Sequence, residues 1–207
     1  MRRVIVLASG PSVKEQGVNL TKLREKGFVI GVNDAAIRAD VDCAVSMDRL
    51  WMEYRAKQLA EKNFPTYFRD SAWEKRDQRK GPIPAWENLF LFRNMHQTNQ
   101  MTDDKNSLNG TSSGVCGINL AMHMKPSSVF LFGFDMKRSV MREPYWHEPY
   151  PWNPAGGTSD GKYEEWSKLF APIDTYAKHK GIQVFNVSPD SAIPNFPKIT
   201  YKEFLEM

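Results

Sequence analysis

The residues whose types and spacing suit chemistry lie at four places, each beside an apolar run or a helical pattern. Ser9, Gly10, Pro11 and Ser12 follow the run Val-Ile-Val-Leu-Ala at residues 4–8. Glycine permits a tight turn and close approach of a ligand, and proline pre-sets the φ of a first helical residue. Ser12 and Glu15 have the spacing of a capping box. Such a turn opens a helix N-terminus, whose amide groups and dipole favour a phosphate. An ordinary strand-to-helix turn uses the same residues, and neither GxGxxG nor a Walker GK[ST] is present. The ligand reading makes Gly10→Val a variant that folds but does not bind.

The second place is Asn109-Gly110-Thr111-Ser112-Ser113-Gly114, which offers three hydroxyls where an N-cap needs one. The surplus suits phosphate or carboxylate oxygens. The third comprises Asn33 and Asp48, each just past an apolar run, with Asp48 equally placed to cap a helix. The fourth is Tyr145-Trp146-His147-Glu148-Pro149-Tyr150. A histidine with its ordinary pKa is suited to general-base work at neutral pH, although a lone histidine is also a common structural residue. His96, His123 and His179 lack such a setting, the last two lying in helical patterns.

Strands must position these groups. Apolar runs suited to strands buried on both faces occupy residues 4–8, 28–32, 43–46, 128–132 and 182–187, with weaker runs at 65–68 and 88–92. Helical periodicity lies between them. Residues 48–62 place Leu50, Trp51, Tyr54 and Leu59 near one face. Residues 114–124 form a second helix. Residues 163–180 form a third, with an apolar stripe of Trp166, Leu169, Phe170, Ile173 and Tyr176 and a kink or break at Pro172. Alternating strands and helices predict an α/β domain spanning 1–207, with a mainly parallel sheet and helices on both faces. Ser9, Asn33, Asp48 and Asp135 then share one rim, where such sheets bind ligands. Residues 70–88 and 137–161 are loop-rich; the latter, with Gly156-Gly157, follows Gly133-Phe134-Asp135 as a lid-like segment.

Composition sets the surroundings. The chain has 207 residues, 41% hydrophobic and 25% charged, with a formal net charge of +4. That excess suits an anionic substrate. Its scatter does not demand nucleic acid, Lys75, Arg76, Arg79 and Lys80 being the one local cluster. Cys43 and Cys116 sit in apolar contexts and read as buried free thiols, without metal-ligand spacing. No run approaches transmembrane length. A cytoplasmic protein without a membrane partner is expected.

In order and approximate spacing, Val4 through Ser12, Val32-Asn33, Ala44-Val45-Ser46-Met47-Asp48, Ser112-Ser113-Gly114 and Leu131-Phe132-Gly133-Phe134-Asp135 resemble the bacterial sialyltransferases of glycosyltransferase family 42. They equally resemble the related DUF115-type proteins, including small phage-borne members, whose asparagine-to-alanine pattern matches Asn109 through Ala121. The resemblance implies a Rossmann-like domain that binds a nucleotide-activated donor, such as a CMP-linked sugar, without a metal or other cofactor. It places Ser9, Gly10, Pro11, Ser12, Asn33, Asp48, Ser112, Ser113, Gly114, Asp135 and Lys137 around the nucleotide. Ser9 and Asp48 stand where the sialyltransferases have asparagines, and Lys137 where they have a phosphate-binding tyrosine. Tyr145 or Tyr150 is the approximate counterpart of a second such tyrosine. Their base histidine falls near Ser159, where this chain has none; His147 lies in the preceding loop.

The expected function is nucleotide-donor-dependent group transfer of a glycosyltransferase-like kind. His147 or Asp48 would be the base, and Lys137, Arg138 or helix N-termini would stabilise the leaving phosphate. Two alternatives stay open. One is a metal-dependent pyrophosphokinase-like nucleotide transferase with Asp48 and Asp135 as ligands; the other is a non-catalytic nucleotide-binding protein. The donor base, the sugar, the acceptor and the oligomeric state are not encoded in these motifs.

Overall fold

In the computed structural model, residues 2–70, 86–94, 99–137, 143–153 and 159–207 are described. The basic cluster of Lys75, Arg76, Arg79 and Lys80, together with His96, Arg138 and Gly156-Gly157, lies outside them. Among the described residues, seven strands form one sheet: β1 (Arg3–Leu7), β2 (Phe28–Val32), β3 (Cys43–Ser46), β4 (Thr66–Arg69), β5 (Leu89–Phe92), β6 (Ser128–Phe132) and β7 (Gln183–Asn186). Their order is β5-β4-β3-β2-β1-β6-β7, and every pairing is parallel. The fold is α/β and Rossmann-like.

Period-2 alternation distributes the strand residues between two cores. Val4, Val6, Val129 and Leu131 face one apolar layer, completed by α5 (Ser113–His123) and α7 (Ala171–His179). Ile5, Leu7, Phe130 and Phe132 face the other, completed by α1 (Ser12–Glu15), α2 (Leu23–Lys26), α3 (Ala35–Arg38), α4 (Arg49–Lys62) and, C-terminally, α8 (Tyr201–Glu206). Because both faces of β1, β2, β3 and β6 are covered, these strands read as nearly continuous apolar runs. Gly117 lets α5 lie close on the sheet. A Cβ there would come 3.0 Å from Val6, 3.2 Å from Val45 and 3.3 Å from Val32, so three strands meet at a residue that weakens the helix by about 1 kcal/mol.

Of the local expectations, the apolar stripe of α4 and the Ser12 cap are corrected, and the break at Pro172 and the buried free thiols hold. On α4, Trp51, Met52 and Leu59 are buried, while Leu50 and Tyr54 are exposed, so the apolar stripe is shifted. Residues 160–179 form α6 (Asp160–Ser167), a 3₁₀ turn (Lys168–Phe170) and α7, with Pro172 in the first turn of α7, where its missing N–H costs nothing. Ser12 is not an N-cap: Pro11 holds that position, and the Ser12 hydroxyl bonds elsewhere. Cys43 and Cys116 are free and buried, and desolvation pushes both thiols up to about 12. Among the described residues, no helix is long and apolar enough to cross a membrane.

The chain steps outward from β1 to β5, then returns to place β6 on the other flank of β1. The crevice beyond the carboxyl ends of β1 and β6 is therefore the switch point of the sheet, the usual ligand position in open α/β sheets.

Candidate functional site

The loops after β1 and β6 are zipped together at their start. Ala8 N–H donates to Phe132 O at 2.8 Å and Gly10 N–H to Gly133 O at 3.0 Å. Gly10 is required by this contact. A Cβ there would fall 1.9 Å from Asp135 Oδ2 and 2.4 Å from Gly133 O, so protein atoms, and not a ligand, occupy the space. This corrects the expectation that Gly10→Val leaves the fold intact. Even Gly10→Ala is expected to lower unfolding stability by at least about 1 kcal/mol, measured by urea titration; unchanged stability would sink the packing account.

A cavity of about 430 Å³ opens at this crevice, within the usual range for small-molecule sites. Ser9, Gly10, Pro11, Asn33, Asp48, Ser112, Ser113, Gly114, Asp135 and Lys137 all line it. Ser12 lies behind the wall, donating to Asp135 Oδ2 at 3.0 Å and sharing a 2.8 Å hydrogen bond with Ser188.

Several of these groups also have structural work. Asp48 Oδ1 caps α4, accepting from Leu50 N–H at 2.9 Å and Trp51 N–H at 3.3 Å. Ser112 Oγ accepts from Val115 N–H, Ser113 Oγ from Met47 N–H, and Thr111 Oγ1 donates to Asn99. The hydroxyls that look surplus in the sequence thus bind the start of α5 to β3 and to residue 99.

Two polar atoms remain without work. Asn33 Oδ1 and Asp135 Oδ1 are buried with no hydrogen-bond partner. Asn33 adopts the left-handed region at φ 52°, which asparagine tolerates better than most residues. Asp135 is 4% exposed, and burial pushes its carboxyl up to about 6, against the lowering effect of hydrogen bonds from the Ser12 hydroxyl and amide. Lys137 and the first turn of α5 supply positive potential on the same cavity.

Aromatic rings complete the wall. Tyr145, Tyr150, Trp152, Tyr163 and Trp166 line the cavity, with Tyr150 and Trp152 stacked at 4.9 Å. Trp152, Tyr163 and Trp166 were not among the expected site residues. The signal for the last two is the spacing of residues 163 and 166, which puts both on one face of α6 as it follows the aromatic loop.

His147 does not line this cavity. It is 9% exposed, with Nε2 3.0 Å from Ser9 Oγ and Nδ1 2.7 Å from Glu148 O. Desolvation lowers its pKa from the ordinary value. Its ring stacks on Tyr145 at 5.1 Å and 7°. Trp146 pins this segment to the sheet, donating from N–H to Ser9 O at 3.1 Å and from Nε1 to Ala8 O at 2.7 Å. A second cavity, about 790 Å³, shares Pro144 and Tyr145 and includes His147. Its cations Lys14, Arg38 and Arg55 are ion-paired with Glu143, Glu148 and Asp34. None of its lining residues has an orphaned buried side-chain atom, so the smaller cavity is the better candidate. No group of three His, Cys, Asp or Glu side chains among the described residues is arranged to hold a metal.

The fold is similar to that of the MAf glycosyltransferase from Magnetospirillum magneticum AMB-1, with a TM-score of 0.61 and 15% identity. The match covers 97% of this chain and 34% of that one, so the chain spans about a third of the length of that structure. No family model matches the chain, and no curated protein matches it.

Proposed function

We propose that the chain is a group transferase that takes a nucleotide-activated donor, a nucleotide sugar in the first instance, in the cavity at the β1/β6 crevice. The observation that carries this reading is the pair of orphaned acceptors on the cavity wall, Asn33 Oδ1 and Asp135 Oδ1. A buried acceptor without a partner costs about 1–3 kcal/mol, which a ligand rich in hydroxyl or amino donors recovers. Ribose, sugar hydroxyls and an exocyclic amine are such donors; a bare phosphate is not. The phosphate portion would lie toward Lys137 and the start of α5, and the aromatic wall offers a stacking surface for a base or sugar face. A glycosyltransferase neighbour in fold, and the resemblance of the strand-end motifs to family 42 and DUF115-type proteins, support the same assignment.

The test is a thermal-shift screen with CMP, UMP, GMP, AMP and their sugar conjugates, followed by calorimetry on Asn33→Ala. At least one nucleotide should raise the melting temperature by mass action. Asn33→Ala should weaken its binding about 10-fold, the equivalent of one hydrogen bond to a buried acceptor. No shift with any nucleotide, or unchanged affinity in the variant, overturns the reading. Turnover lost in EDTA and restored by magnesium would favour the pyrophosphokinase-like alternative.

A further inference from the structure

We propose that Ser9 is the catalytic residue that takes the proton from the acceptor and passes its own to His147, so that His147 serves as the base without touching substrate. This rests on the transfer reading above and assigns its proton path.

The direction of the path follows from which groups can donate. Glu148 O is a carbonyl and can only accept, so the 2.7 Å contact requires a hydrogen on His147 Nδ1. In the neutral ring, Nε2 is then a bare lone pair, and the Ser9 hydroxyl 3.0 Å away donates to it. Burial favours this neutral form. With its hydrogen committed to His147, Ser9 Oγ keeps its lone pairs for accepting, and Ser9 lines the candidate cavity whereas His147 does not. An acceptor hydroxyl in this cavity can therefore reach Ser9 but not the imidazole.

The step balances. The acceptor O–H gives its proton to Ser9 Oγ as the Ser9 hydrogen moves to His147 Nε2. The acceptor oxygen forms its bond to the transferred group, and the bond from that group to the donor phosphate breaks, its electron pair leaving with the phosphate. Ser9 ends as it began, and His147 ends as imidazolium. The charged groups around His147 are Asp34, Arg38 and Arg55 from neighbouring elements and Glu148 beside it, with Tyr145 and Tyr150 as titratable neighbours. Asp34 favours the imidazolium; the two arginines oppose it.

A tie that merely holds the loop down is the competing account, and Trp146 already makes two such ties. The experiment is nucleotide release from CMP-N-acetylneuraminate with water as acceptor, in the wild type, Ser9→Ala, Ser9→Thr, His147→Ala and the double variant Ser9→Ala/His147→Ala. Ser9→Ala and His147→Ala should each lower kcat about 10²-fold or more, with donor affinity by calorimetry unchanged. The double variant should lose no more than either single one, because the pair acts as a unit. Ser9→Thr should recover most of the rate, and the rise of rate with pH through the His147 titration should vanish in Ser9→Ala. Additive losses, or full turnover in Ser9→Ala, overturn the relay alone; no nucleotide release from the wild type overturns the transfer reading for this donor and the relay with it. Imidazole ¹⁵N shifts at pH 7 give a readout independent of activity: a hydrogen on Nε2 instead of Nδ1 also overturns the relay.

Discussion

Asp135→Asn is expected to stabilise the ligand-free protein at pH 7 while weakening ligand binding. Burial raises the Asp135 carboxyl from the ordinary 3.8 to about 6. The folded state therefore holds this proton more tightly than the unfolded chain. The stability contributed is full below pH 3.8 and is lost as pH rises through about 6. The cost at neutral pH is about 3 kcal/mol. An asparagine removes the buried charge and keeps an oxygen to accept from Ser12, with the new amide hydrogens offsetting part of the gain. A net gain of about 2 kcal/mol corresponds to about 4–8 °C in Tm for a chain of this size. The gain should be near zero at pH 4, grow to pH 6 and then level off. Binding should fall about 10-fold or more, because an amide donor replaces the orphaned acceptor that a ligand hydroxyl would meet. Stability measured by urea titration across this range, with calorimetry on the same samples, decides it. A gain that does not vary with pH would sink the account of Asp135 as a strained, functional carboxyl.

The central strands β1, β2, β3 and β6 were legible because burial on both faces leaves few polar positions. Residues 28–32, 43–46 and 128–132 match their observed bounds, and the other runs agree within one residue at either end. Their order was not legible, since apolar runs carry no label of their neighbours, and the adjacency of β6 to β1 is what makes the crevice. Asn33, Asp48 and Asp135 could still be placed on one rim, because parallel strands share a sense. What remained hidden depends on contacts distant in sequence. His147 meets Ser9 only because Trp146 anchors its segment to the end of β1. Trp166 reads as part of a buried helical stripe, yet periodicity cannot separate a core face from a cavity face, and it lines the site. Ser113 and Thr111 look like spare ligand hydroxyls until Met47 and Asn99 are seen to use them.

Asp34, which carries no motif, should give the largest loss of stability: Asp34→Ala is expected to cost about 3–5 kcal/mol. Its carboxylate is wholly buried, immediately after the left-handed Asn33. Oδ1 accepts from Trp51 Nε1 and Arg55 Nε, both at 2.9 Å, and Oδ2 accepts from Arg55 Nη2 at 2.7 Å. The two arginine bonds form a bidentate fork, the strongest geometry available to such a pair. Removing the carboxylate leaves a guanidinium with only 14% of its side chain exposed, and an indole N–H in a fully buried tryptophan, both without this partner. The penalty comes from those stranded donors more than from the lost attraction. Arg55→Met in the Asp34→Ala background should therefore recover part of the loss, and most of the coupling should persist at 1 M salt, which screens a largely buried pair much less than an exposed one. Exposed pairs such as Lys14 with Glu143 should contribute less than about 1 kcal/mol and fade with salt. Urea titration of the single and double variants at low and high salt measures both. A loss under about 1 kcal/mol, or a double variant no more stable than Asp34→Ala, would mean that the site rests on some other support than this buried fork.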